Sequence, residues 1–199
     1  MGLKQQIQLK VAHTDYLNYL AQTYHYMKKP IHDKACPFGF EVYFNGINRM
    51  GDGKPAGFIM FATPHFTKLV GEFGYKGLPT KWQVLLLSRL WLHDNLPKNS
   101  ETCTIAKALK LVQRRWIEVH PPVFPNQPYH ILKVLSYCDT ATHTGTIYKA
   151  ANFRVVNKTT TTARPNGSRG NGTNSELITF AYDLPYPRWS FFDIQPKLL

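Results

Sequence analysis

The most apolar stretch of the chain, WQVLLLSRLWL at positions 82 to 92, most limits what the protein can fold into. It shows no polar alternation, so it reads as a strand covered on both faces, at the centre of a sheet that needs helices on either side. Ser88 and Arg89 break it, and it is far too short to span a bilayer. The 199 residues are 43% hydrophobic and 14% aromatic, enough for one well-buried core, and the expected organisation is a single domain over 1–199.

The segments on either side fit that frame. DYLNYLAQTYHYMKK, residues 15 to 29, spaces Tyr16, Tyr19, Leu20, Thr23 and Met27 as a helix does, and the spacing predicts a helix stopped by Pro30 with His25 and Tyr26 in its last turn. FGFEVYF (38–44) and AGFIMFATP (56–64) read as strands joined by the Gly- and Asn-rich NGINRMGDGKP. A second helix opens with Ser100 as N-cap and aligns Ile105, Leu109, Val112 and Trp116 on one face. A Pro-rich connector leads to the strand HILKVLSY and then to a helix in TIYKAAN. Residues 157–176 hold almost nothing that can be buried and read as a flexible basic loop before the strand pattern LITFAYDLP. The order is α/β without strict alternation, which predicts a mixed twisted sheet with helices on both faces.

The chain carries 24 lysines and arginines against 12 acidic residues, a net charge of +12. Such an excess concentrates polyanions around a protein, so double-stranded DNA is the expected partner, with a solubility charge or an acidic protein partner as the plainer alternatives. Lys107, Lys110 and Arg114 form one basic stripe, and Arg164 and Arg169 lie in the loop; these are the expected DNA contacts. A stripe of this kind is also what an ordinary solvated helix face looks like. Cys36, Cys103 and Cys138 are widely spaced and in no Cys-x-x-Cys pair, consistent with a reducing cytoplasm. MGLKQQIQLK has no apolar signal core, so the expectation is a soluble cytoplasmic protein with no membrane contact.

Chemistry concentrates in SYCDTATHTGTIYKAANF, residues 136 to 153. Ser136, Tyr137 and Asp139 sit at the carboxyl end of a strand, where open α/β sheets bind ligands. Asp139 has the chemistry of a general base or a metal ligand, and Tyr148 that of a proton donor or an iron ligand, or of a packed core aromatic.

With the HY pair at His25 and Tyr26, SRLWL with Arg89, and KNSETCTIAKAL opening the next helix, this segment resembles the Mom family of phage DNA-modification enzymes. That family is similar in fold to the Gcn5-related N-acetyltransferases, and the likeness spans roughly residues 15 to 156. The resemblance implies transfer of a carbamoylmethyl-type group to the N6 of adenine in DNA, which shields phage DNA from restriction in the host cytoplasm. It places catalytic roles on His25, Tyr26, Ser136, Asp139 and Tyr148, and cofactor contact on Arg89. It also implies iron, with His25, Tyr26, Asp139 and Tyr148 as the ligating set. One departure stands out: where an acetyltransferase has a Gly-rich pyrophosphate turn, this chain has HDNLPKNSETCT, with no glycine. Lys98 and the helix start at Ser100 remain as anion contacts, so the donor is unknown, acyl-CoA included. Tyr26, Phe66 and Trp189 are candidates to stack on a flipped base. An N-acetyltransferase for a protein or small amine and a non-catalytic DNA-binding protein are the competing readings, and a homodimer is among the oligomeric states the sequence leaves open.

Overall fold

The protein is described from a computed structural model, over residues 2–45, 54–64, 83–120, 130–161 and 175–185. Along the chain come α1 (Leu3–Gln6), β1 (Ile7–Val11), α2 (Thr14–Tyr24), β2 (Phe38–Phe44), β3 (Gly57–Ala62), β4 (Val84–Leu92), α3 (Ser100–Val119), β5 (Lys133–Asp139), α4 (Thr146–Ala150), β6 (Arg154–Thr161) and β7 (Ser175–Asp183). They build one seven-stranded sheet in the order β1-β2-β3-β4-β5-β7-β6.

The apolar run is the middle strand, β4, and its two sides are covered by different helices. α3 packs Ile105, Val112 and Trp116 against Phe38, Phe61, Leu85 and Leu87. On the opposite side α2 packs Leu17, Leu20 and Ala21 against Phe58 and Met60. This is the mixed α/β sheet with helices on both faces that the sequence predicts.

Two irregularities make the site. All pairings are antiparallel except β4 with β5, which run parallel and pair only from Val84↔Lys133 to Leu86↔Leu135. β4 then continues to Leu92 along β3, and β5 to Asp139 along β7, so a wedge opens between their carboxyl halves. The second irregularity is a bulge: Met60 faces Arg89 while Phe61 faces Leu87, leaving Ser88 as the extra residue. An extra residue shifts the period-two alternation by one. Leu85 and Leu87 before it, and Leu90 and Leu92 after it, all join the α3-side core. Arg89 and Trp91 are thereby turned to the α2 side.

Several expectations need correction. α2 ends at Tyr24, with His25 as an extended C-cap, so His25 and Tyr26 lie just past the helix and not in its last turn. The N-cap of α3 is Asn99, and Ser100 is the first helical residue. β1 went unread because a short edge strand such as IQLKV carries too little apolar signal. Part of the expected loop 157–176 is strand: Lys158 pairs with Ile178 and Thr160 with Glu176, the β-branched threonines suiting an exposed edge. The rest of that loop, with Arg164 and Arg169, lies outside the described residues, as do Phe66 and Trp189. Among the described residues no helix is long and apolar enough to cross a membrane.

Candidate active site

His25 and Tyr26 reach the wedge because α2 is anchored by Leu17, Leu20 and Ala21 and then stops sharply. The His25 N–H closes on the Ala21 carbonyl at 3.2 Å, and its Nδ1 accepts the Met27 N–H at 3.2 Å. The imidazole is only 4% exposed. With Nδ1 accepting, the neutral ring carries its proton on Nε2. Burial, then the nearby charge of Arg89 and the neighbouring His143, pull its pKa down to about 4, so it is neutral at pH 7. The Tyr26 ring lies 4.3 Å from that of His25 and meets His143 edge-on at 5.4 Å. Burial raises the Tyr26 phenol, Arg89 acts against that, and Asp139 and Cys138 reinforce it.

Arg89, aimed to this side by the bulge, donates from Nη1 to the Ser88 carbonyl at 2.7 Å. Its Nε is buried without a hydrogen-bond partner, and among the described residues no carboxylate forms an ion pair with it. Burial lowers its pKa, with Tyr26 opposing. A guanidinium this desolvated and without a counter-ion is a receptor for an anionic or developing negative charge.

From the other strand, Ser136 is buried at the point where β4 and β5 part, and its Oγ donates to the Leu87 carbonyl at 3.3 Å. The Tyr148 phenol lies beside the Ser136 hydroxyl. Burial raises the Tyr148 pKa, the neighbouring Ser136 hydroxyl opposing, so the phenol is protonated at neutral pH. Its ring is fixed against Phe180 at 5.2 Å and Phe153 at 5.8 Å.

Asp139 shapes the turn between β5 and α4. Its Oδ1 accepts the Ala141 N–H at 3.0 Å and its carbonyl accepts from Thr142 and His143, so one carboxylate oxygen is committed to the turn. The same turn presents His143, a residue that the sequence does not single out for the site, toward Tyr26. Gly145 closes it at φ +71, where a Cβ would come within 2.7 Å of Phe180, so only glycine fits.

The described geometry thus brings His25, Tyr26, Arg89, Asp139, Ser136 and Tyr148 to one wedge and adds His143. Other expected residues lie elsewhere. Ser100 is buried with its hydroxyl on the Pro97 carbonyl at 2.6 Å, while Lys98 is exposed. Asn99 adopts φ +71 in this glycine-free turn, taking the left-handed geometry that glycine would otherwise provide. Lys107, Lys110 and Arg114 belong to α3, on the far side of the sheet from α2. Lys107 Nζ donates to the Ile7 carbonyl, and Arg114 pairs with Glu118 at 3.0 Å.

The residues do not fit the expected iron site. A ligating histidine normally binds through one ring nitrogen and donates from the other, yet Nδ1 of His25 faces a backbone N–H and must accept. Among the described residues no group of three His, Cys, Asp or Glu side chains is placed to hold a metal ion.

The lowered His25 pKa predicts an acid-sensitive fold. Its folded value lies below the unfolded value near 6.5, so the unfolded chain binds the proton more tightly between the two. Stability should therefore fall as pH drops from about 6.5 to about 4. The contribution from His25 is on the order of 2 kcal/mol after discounting for solvent screening. His120 and His130, also lowered by burial, add to the same limb. Urea midpoints measured across this window for wild type and His25→Asn test it: the variant should show the shallower dependence.

Comparison with known proteins agrees with this architecture. No curated protein sequence matches the chain. Among solved structures, Arabidopsis thaliana NAA60 with a bisubstrate analogue matches at TM-score 0.57 and 10% identity, over 89% of this chain and 97% of that one. Spermidine N-acetyltransferase from Vibrio cholerae, solved with CoA and spermine, matches at TM-score 0.54 and 11% identity, over 90% of this chain and 96% of that one. The fold is therefore that of the N-acetyltransferases. The profile of the Mom protein family matches residues 6–180, which takes in every element from β1 to the wedge and most of β7. The chain belongs to the Mom protein family.

Proposed function

We propose that this enzyme transfers a small group to the exocyclic N6 of adenine in DNA, with the donor held in the wedge between β4 and β5. Family membership and the acetyltransferase fold support a group-transferring enzyme. The observation that carries the reading is the convergence of Arg89, without a counter-ion among the described residues, with Ser136, Tyr148 and the Tyr26 ring at the place where the parallel pair parts. The CoA and bisubstrate complexes of the similar acetyltransferases favour an acyl-CoA-type donor, which supplies an electrophilic carbon and a thiolate leaving group.

The chain's own groups divide the remaining work. Arg89 binds negative charge on the donor or on its oxygen as the nitrogen attacks. Tyr148, protonated at neutral pH, delivers its proton to the departing group and regains one from solvent after the products leave. The attacking amino group must lose a proton, and the acceptors at the wedge are His143 and the second oxygen of Asp139. His25, with its accepting nitrogen occupied, donates from Nε2 and orders Tyr26 by ring contact. Adenine N6 is paired within a duplex, so the base has to leave the stack, and Tyr26, 64% exposed, offers a ring to receive it. The +12 charge suits a DNA substrate better than a cationic polyamine.

Plasmid DNA from cells making the protein should resist an endonuclease whose recognition site contains adenine, and DNA from cells making Tyr148→Phe should be cut. Equal cutting of both DNAs would refute the reading.

A further inference from the structure

We propose that the outer face of α2 and the turn after it, rather than α3, grip the DNA strand that flanks the target base. This rests on the reading of the enzyme as acting on DNA. α2 buries Leu17, Leu20 and Ala21, yet it also presents aromatic side chains to solvent. Tyr19 is 58% exposed and stacks with the exposed Tyr16 at 6.2 Å. Residues 16, 19 and 23 follow one another along one side of the helix, and the exposed Tyr26 lies just past its end, beside the wedge. Burial in the core explains none of these rings.

The charge beside the row has the sign a phosphate backbone needs. After Tyr26, the segment to Lys34, anchored by the buried Ile31, holds the exposed Lys28, Lys29 and Lys34 with Asp33 as its single acid. Lys28 Nζ also donates to the Thr23 carbonyl at 2.9 Å, which fixes its position at the helix end. Lys10 lies over the Tyr43 ring at 4.2 Å on the same side of the sheet. Asp15 and Glu41, which accepts from the Tyr43 hydroxyl, are the other acids on this side, and the lysines Lys10, Lys28, Lys29 and Lys34 outnumber the three acids Asp15, Asp33 and Glu41. A row of exposed rings bordered by lysines is how proteins hold unpaired strands: bases stack on the rings and phosphates meet the cations. A strand opened around a flipped adenine presents that combination.

α3 offers less. Arg114 is paired with Glu118, and the helix lies on the opposite side of the sheet from Tyr26.

Fluorescence anisotropy of a labelled adenine-containing oligonucleotide, titrated over a range of salt, tests the assignment. Tyr19→Ala should weaken binding about tenfold and Tyr19→Phe should restore it, because a ring is all that stacking requires. The double variant Lys28→Gln/Lys29→Gln should flatten the salt slope by about two, one per lost phosphate contact. Lys110→Gln should change neither quantity. Unchanged affinity in Tyr19→Ala, a slope that falls for Lys110→Gln but not for the double variant, or no DNA binding at all would each overturn the proposal. The outcomes separate from those of the chemistry: adenine modification by wild type together with normal binding by Tyr19→Ala would overturn only this surface. Weakened binding by the α2 variants with no modified adenine would support the surface and overturn the proposed reaction.

Discussion

Tyr148→Phe is expected to lower adenine modification at least a hundredfold with little change in stability. The phenylalanine ring keeps the contacts with Phe180 and Phe153, and only the hydroxyl is lost. Ser136 keeps its bond to the Leu87 carbonyl, so the cost to the fold should be about 1 kcal/mol or less. A missing proton donor at a reacting centre commonly costs a hundredfold to ten-thousandfold in rate. Asp139→Asn is the companion variant, since asparagine retains the Oδ1 acceptor for Ala141 and removes only the charge. Single-turnover rates, read beside melting curves, check both. Near-normal rates in folded Tyr148→Phe would make Tyr148 a packed aromatic, and a lower melting temperature with activity retained would say the same.

Arg89→Met should separate function from stability in the opposite direction. The half-buried guanidinium has a buried Nε without a partner and no carboxylate paired with it among the described residues, so the folded protein bears a desolvation cost. An apolar side chain of similar length should raise stability by about 1 kcal/mol while lowering kcat/KM a hundredfold or more through lost donor binding. Urea unfolding and donor saturation curves test the two halves separately. Lower stability with unchanged donor dependence would make Arg89 a structural residue.

What the sequence revealed followed from how strongly each element's burial marks its composition. β4 was legible because both of its faces are covered, and α3 because Ile105, Leu109, Val112 and Trp116 recur at helical period on the buried side. β1 and β6 are the two edges of the sheet, where exposed positions favour polar residues, so IQLKV and NKTTT do not look like strands. The apolar rhythm of α2 runs on to Met27, but the His25 side chain takes the Met27 N–H and ends the helix early, a side-chain choice that periodicity does not register.

At the site, His25, Tyr26 and the segment from Ser136 to Tyr148 were visible through the family resemblance. That Arg89 faces them depends on the bulge at Ser88, which exists only in the register between β3 and β4. The neighbourhood of His143 and Tyr26 likewise depends on the turn set by Asp139. The basic stripe on α3 was readable as a stripe. Which side of the sheet it occupies, and that Lys107 is tied to Ile7, follow from tertiary packing.

The most direct test of the account is mass spectrometry of nucleosides from the DNA of cells that make this protein. The account predicts that part of the deoxyadenosine is replaced by a heavier adenine nucleoside, and that the new mass disappears in cells making Tyr148→Phe. Four unmodified nucleosides from cells containing abundant folded wild-type protein would contradict it.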